Sequence, residues 1–314
     1  MKPKAPTVDK TAILSKLTTF SQVSIVLLAL ALFTSAANAA SPLNPLTTVY
    51  VVSLDLNCSQ AQTEGIPCGQ FGRVDLVTGS FTQIVDLPYT VTNLVWLNGS
   101  LYTLATADPY AGYLMKIDLQ SNTVKPVGPT GLSYNAFALG EVNGKLYVTD
   151  FSNNIYTVNP HNGAAKLLNN DTGIPADPEV PFTYNSDGTF NLCDESLYGI
   201  GGSLYATFDS FNVDPVTLAI NVNLPANPTL YRINPKTGGA TPIGPTDLGI
   251  GATVVLDGIV FAFESPVTGF EGIPISDNIE LVTLNLANGK TKFVRSIDPA
   301  VGPIFGAAPL FPFL

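Results

Sequence analysis

One unit of strands and turns returns five times along this 314-residue chain: an apolar strand ending in a tight turn, a Leu-Tyr strand, then a third strand closed by a second tight turn. In the clearest pair, "LMKIDLQSNTVKPVGPTGL" from Leu114 and "LYRINPKTGGATPIGPTDL" from Leu230, the Pro-hydrophobic-Gly-Pro-Thr segment keeps the same offset from the opening Leu. Modules of this size cannot bury their apolar faces alone, so a chain that repeats them must stack them. Two-residue turns at Asn98-Gly99, Asn143-Gly144, Gly201-Gly202 and Asp257-Gly258 predict that the strands flanking each are antiparallel neighbours, because both central positions favour φ > 0. A second set of turns, at 77–79, 120–122, 160–163, 235–238 and 287–289, closes the hairpins that follow. Each module then reads as four antiparallel strands: inner, second, third and outer.

Tyr50, Tyr102, Tyr147, Tyr205 and Phe261 mark the second strand of each module and count five. In this phase the strand "VYVVSLD" from Val49 starts inside a module, and "PIFGAAPL" from Pro303 matches an inner strand that would complete it. Two chain ends sharing one module close a ring and leave no exposed sheet edge at the join. The expected fold is all-β: a β-propeller over residues 49–314, of five four-stranded blades closed by the N- and C-terminal strands. The long spacing between 158 and 233 keeps six blades as the alternative. "GKLYVTDFSNNIYTVNPHNG" from Gly144 and the segment from Gly202 resemble the repeats of NHL-type and related secreted bacterial propellers. That resemblance implies the fold, and it brings in families of lactonases, lyases and ligand-binding domains whose activities the fold does not choose between.

Lys2, Lys4, Lys10 and Lys16 precede an apolar run from Val23 to Phe33, and small residues end at Ala37-Asn38-Ala39. Residues 1–39 read as a signal peptide and 40–48 as a linker. The apolar run falls short of the roughly twenty residues a spanning helix needs. A secreted or periplasmic, monomeric chain with no transmembrane segment in its mature part is expected. Loss of the signal removes four Lys and one Asp, so the formal charge of −10 becomes more negative, which disfavours nucleic acid as a partner. In an oxidising compartment Cys58 and Cys68 are expected to form a local disulfide, with Cys193 left as a buried thiol.

Strand alternation puts both tight turns of every blade on one face and the long connections, 54–70, 105–112, 169–194, 208–228 and 264–278, on the other. Long loops on a compact scaffold commonly carry function. Asn93, Asn135, Asp194 and Glu195 open inner strands and are expected near the mouth of the central channel. Amide and carboxylate oxygens there suit Ca²⁺, with Asn93, Asn135 and Glu195 as ligands and Asp194 as the candidate catalytic base. The plainer role is to satisfy loop backbone groups. Asp150, Asp209 and Glu264 form a second acidic set at the ends of successive second strands, where capping of the next turn competes with cation binding. Tyr110, Phe211 and Phe270 are candidate aromatic anchors of a ligand face. His161, the sole histidine, falls on the tight-turn face, and no GxSxG, HExxH or phosphate-loop motif occurs. The leading expectation is a non-catalytic propeller binding a protein, glycan or small molecule. The alternatives are a Ca²⁺-assisted, lactonase-like hydrolase and a structural cell-surface module.

Overall fold

The structure is a computed structural model that describes residues 47–55, 68–87, 89–106, 109–132, 136–150, 152–174, 182–184, 190–213, 229–246, 250–264, 279–302 and 304–311. Five antiparallel sheets form. Blade 1 joins β21 (Ile304–Pro309), β1 (Thr48–Asp55), β2 (Cys68–Asp75) and β3 (Phe81–Leu87). Blade 2 is β4 (Val91–Leu97), β5 (Ser100–Ala105), β6 (Tyr113–Asp118) and β7 (Thr123–Pro129). Blade 3 is β8 (Ala136–Val142), β9 (Lys145–Asp150), β10 (Ile155–Val158) and β11 (Ala165–Asn169). Blade 4 is β13 (Phe190–Ile200), β14 (Ser203–Val213), β15 (Thr229–Ile233) and β16 (Ala240–Pro245), with β12 (Phe182–Tyr184) added beside β13. Blade 5 is β17 (Ile250–Leu256), β18 (Ile259–Glu264), β19 (Glu280–Leu284) and β20 (Thr291–Ser296). The inner strands β21, β4, β8, β13 and β17 touch in that order, and β17 returns to β21. The molecule is a five-bladed β-propeller.

The predicted two-residue turns have the backbone they need, with φ of 49° and 72° at Asn98 and Gly99 and of 57° and 78° at Gly201 and Gly202. Ring closure follows the predicted route: β1 pairs with β21 from Val49↔Pro309 to Ser53↔Ile304. The buried residues fall into five apolar clusters, and each draws on two adjacent blades. Leu97, Tyr102 and Leu104 of blade 2, for example, pack on Leu139, Leu146 and Val148 of blade 3. The alternating pattern of a sheet buried on both faces therefore works between blades, and the stability of each blade resides in its neighbours. The Leu-Tyr aromatics serve this packing: Tyr102 and Tyr147 are buried, and the Tyr147 hydroxyl crosses to blade 4 to donate to the Pro235 carbonyl at 3.0 Å.

The repeated Gly-Pro-Thr has a steric cause. A Cβ on Gly128 would lie 2.1 Å from the carbonyl oxygen of Asn162, in the tight turn of the next blade, and one on Gly244 would lie 2.5 Å from that of Asn288. Each outer strand thus offers a bare backbone on which the following turn sits. Thr130, two residues on, accepts the Ala165 N–H of the next blade through its own carbonyl at 3.0 Å.

At the blade 4–5 boundary Tyr198 stacks on Tyr205 with centroids 6.0 Å apart, and its buried hydroxyl has no hydrogen-bond partner among the described residues. Burial pushes its pKa far above the usual tyrosine value. Burial, with Tyr110 nearby, takes Tyr89 up to about 12, and burial followed by the bond to Asp150 takes Tyr156 up to about 12. A tyrosine whose pKa is raised on folding favours the native state below its unfolded value of 10.0, and that contribution is lost as pH rises through the folded value. Thermal unfolding should therefore show a steep loss of stability from pH 10 upward. Tyr198→Phe, which removes only an unpartnered hydroxyl, should leave the midpoint at pH 7 unchanged or raised and should flatten the alkaline decline. A lowered midpoint at pH 7 would mean that the hydroxyl is satisfied.

Candidate functional site

The face carrying the long connections departs from the repeat in one place. In blades 1, 2, 3 and 5 a register shift interrupts the ladder between inner and second strands, at Val52/Ser53, Thr92/Val95, Ala136/Ala138 and Ile250/Ala252. Such bulges bend the strand and end regular pairing. Blade 4 has none: its ladder runs unbroken from Ile200↔Ser203 to Phe190↔Val213. β15 pairs with β14 as far as Phe208↔Thr229, and positions 209–213 continue beyond that pair, about 16 Å of strand at about 3.3 Å per residue. β12 pairs with Phe190–Leu192 on the other side. The outcome is a three-stranded arm continuing blade 4 on the long-loop face, where loops 169–194 and 208–228 were expected.

The arm gathers several residues that sequence reasoning had placed separately. Asp194 stands opposite Asp209, Glu195 opposite Phe208, and Leu192 opposite Phe211. Strand alternation puts positions 192, 194, 209 and 211 on one face of the ladder and 193, 195, 208 and 210 on the other. The candidate base, one candidate metal ligand and one candidate aromatic anchor thus share a single hairpin. Cys193 pairs with Ser210 in the same ladder.

Asn93 has a different setting. It lies in the blade 2 bulge with φ 54°, a conformation that asparagine tolerates, and is 5% exposed. Its side-chain oxygen accepts the Leu139 N–H of blade 3 at 2.8 Å and the Thr92 hydroxyl at 3.2 Å. That amide ties two inner strands together. Asn135 and Phe270 lie outside the described residues, as does Cys58; Cys68 opens β2 and is buried.

Asp150 caps the β9–β10 turn. One carboxylate oxygen accepts the N–H groups of Ser152 and Asn154 at 2.9 and 3.0 Å, and the other accepts the Asn154 amide and the Tyr156 hydroxyl, both at 2.8 Å. Glu264 ends β18 and is buried. Tyr110 packs edge-to-face against Tyr89 and Tyr113, at 5.4 and 5.5 Å, so its ring pins the β5–β6 connection to the blade 1–2 boundary. His161 is exposed in the turn between β10 and β11, its N–H donating to the Asn159 side chain at 2.9 Å.

Among the described residues no three His, Cys, Asp or Glu side chains are grouped to hold a metal ion, and no helix is long and apolar enough to cross a membrane. No protein-family model and no curated protein matches the chain.

Proposed function

We propose that this propeller is an extracytoplasmic binding module whose partner, a protein, glycan or small molecule, is met by the arm of blade 4. The observation that supports it is the unbroken β13–β14 ladder with β12 beside it. Four blades interrupt their inner hairpin with a bulge, and one carries it on unbroken into the long-loop face. On a scaffold of equivalent modules, the departure from the repeat is where a specific partner is recognised. The signal peptide at 1–39, the Cys58–Cys68 disulfide and a monomeric state belong to this reading, as does kinship with the NHL-type and lactonase-like propellers.

A photo-cross-linking amino acid placed at Phe211 on the arm, and in a second protein at Phe293 on the exposed outer strand of blade 5, tests it in the producing cell. Adducts concentrated at 211 are expected. Equal labelling at both positions, or labelling at 293 alone, would reject the arm as the binding face.

The second reading is a Ca²⁺-assisted hydrolase with Glu195 as ligand and Asp194 as base, adjacent positions on β13. Thermal unfolding with excess Ca²⁺ and with chelator separates the readings, because an ion stabilises only the state that binds it. A rise in midpoint that Glu195→Gln abolishes would favour the hydrolase and justify lactone and ester substrates. No rise would reject the hydrolase.

A further inference from the structure

Two of the inner turns form a matched pair. Asn98-Gly99 and Asn143-Gly144 are both exposed, and each follows a buried apolar residue, Leu97 or Val142. The φ angles are 49° and 72° in the first turn and 54° and 74° in the second. A Cβ on either glycine would meet nothing within 4 Å. The difference lies two residues before the asparagine, where blade 2 has Trp96 and blade 3 has Glu141. The half-buried Glu141 accepts the Gly144 N–H through Oε1 at 2.7 Å. Burial holds this carboxyl above the usual carboxylate value, although the bond from Gly144 lowers it, so it is a stronger base than an exposed glutamate. The other two Asn-Gly pairs among the described residues are clamped. The Gly163 and Gly289 N–H groups donate to the Asn159 and Asn285 carbonyls at 2.8 Å. The Asn162 and Asn288 side-chain oxygens accept the N–H groups of Ala164 and Lys290 at 3.1 Å.

We infer that Asn143 is a site of self-modification, at which Glu141 promotes loss of the side-chain amide to leave aspartate or isoaspartate. Glu141 takes the proton of the Gly144 nitrogen, and that nitrogen attacks Asn143 Cγ. The N–Cγ bond forms, the Cγ–Nδ2 bond breaks, and the proton passes from Glu141 to the leaving nitrogen, which departs as ammonia. Solvent water then opens the cyclic imide at either carbonyl, and no oxidant or reductant enters. A base at this nitrogen matters because an amide N–H is too weak an acid to ionise unaided at neutral pH. Glycine has no side chain to crowd the approach. A Cβ on Gly202 would lie 3.7 Å from the Asn143 side-chain oxygen. The new carboxylate therefore appears beside Glu141 at the boundary of blades 3 and 4.

Peptide mapping by mass spectrometry of the folded protein, aged at neutral pH, follows each site as the mass gain of an amide-to-acid exchange, with isoaspartate resolved by chromatography. Asn143 should convert about tenfold faster than Asn98, well short of what a fully positioned base gives. Glu141→Gln keeps an oxygen to accept the Gly144 N–H but cannot take its proton, and it should bring Asn143 down to the Asn98 rate. In urea, with both segments unfolded, the two sites should convert at similar rates, since each is an apolar residue followed by Asn-Gly. Conversion of Asn143 no faster than that of Asn98 in the folded protein would overturn the inference. So would an unchanged or faster rate at Asn143 in Glu141→Gln, which would make Glu141 a cap that only holds the turn. A preference for Asn143 that persists in urea would assign it to local sequence and overturn the role of Glu141 equally.

Discussion

Gly306→Ala should lower the thermal midpoint by about 6–12 °C, a loss of about 3 kcal/mol at the upper end of what overpacking costs. The added methyl would lie 2.4 Å from the carbonyl carbon of Asn93, 2.6 Å from its Cα and 2.7 Å from the Leu94 nitrogen. All three are backbone atoms of the neighbouring inner strand, so no side chain can swing away to make room. Asn93 is fixed besides, by its bond to Leu139 in the third blade. The strain therefore passes to two blade boundaries. Gly199→Ala should act in the same way between blades 3 and 4, where its methyl would meet the Glu141 carbonyl oxygen at 1.7 Å. Gly239→Ala is the control, since its nearest neighbour is the Thr237 hydroxyl at 3.5 Å, and its midpoint should stay within about 2 °C of the parent. Differential scanning calorimetry of the three proteins decides it. Equal midpoints would mean that the inner strands do not pack backbone to backbone around the axis.

The parts of this architecture that were legible in the chain are those that recur. Asn-Gly and Gly-Gly pairs announce hairpins because few other residues accept two successive positive φ values, and five such punctuated modules admit few arrangements other than a ring. Closure by the two ends was readable because "VYVVSLD" and "PIFGAAPL" each supply what the other lacks. The arm was not readable in this way. Asp194 and Glu195 read as the opening of an inner strand and Asp209 as the end of the second strand, with long loops expected beyond them. Once the Gly201-Gly202 turn fixes the register, however, pairing propagates until a bulge stops it, and the inner hairpin of blade 4 has no bulge. A period-two alternation in Phe190, Leu192, Phe211 and Val213 was the available signal. Asn93 illustrates the opposite limit. A polar residue at the start of an inner strand resembles a ligand in sequence, and only the position of Leu139 in the next blade shows that its oxygen is engaged. Contacts between blades join residues far apart in the chain, and no local pattern encodes their partner.

Ending the chain at Gly302, which removes β21, should abolish cooperative unfolding altogether. β1 would lose its ladder from Val49↔Pro309 to Ser53↔Ile304. The buried Ile304, Ala307, Ala308 and Leu310 would go with it, together with the carbonyl that receives the Trp96 indole. More is lost than one strand's contacts. Ala308 belongs to the cluster between blades 1 and 2, and Ile304 and Ala307 to that between blades 1 and 5, so both boundaries of blade 1 open at once. An open ring exposes apolar faces on either side of the gap. Because blades are stabilised by their neighbours, the loss spreads inward from each end. Against a total stability of about 5–15 kcal/mol, losing two of five boundaries leaves no stable ring. Adding a peptide of residues 303–311 in trans should restore it, because the missing strand carries its own register to β1 and its own apolar residues to both clusters. Circular dichroism melts with and without the peptide provide the measurement. A cooperative melt near the parent midpoint without peptide would show that four complete blades hold together unaided. Recovery with the 303–311 peptide would show that β21 closes the ring through its strand pairing, without the residues that follow it.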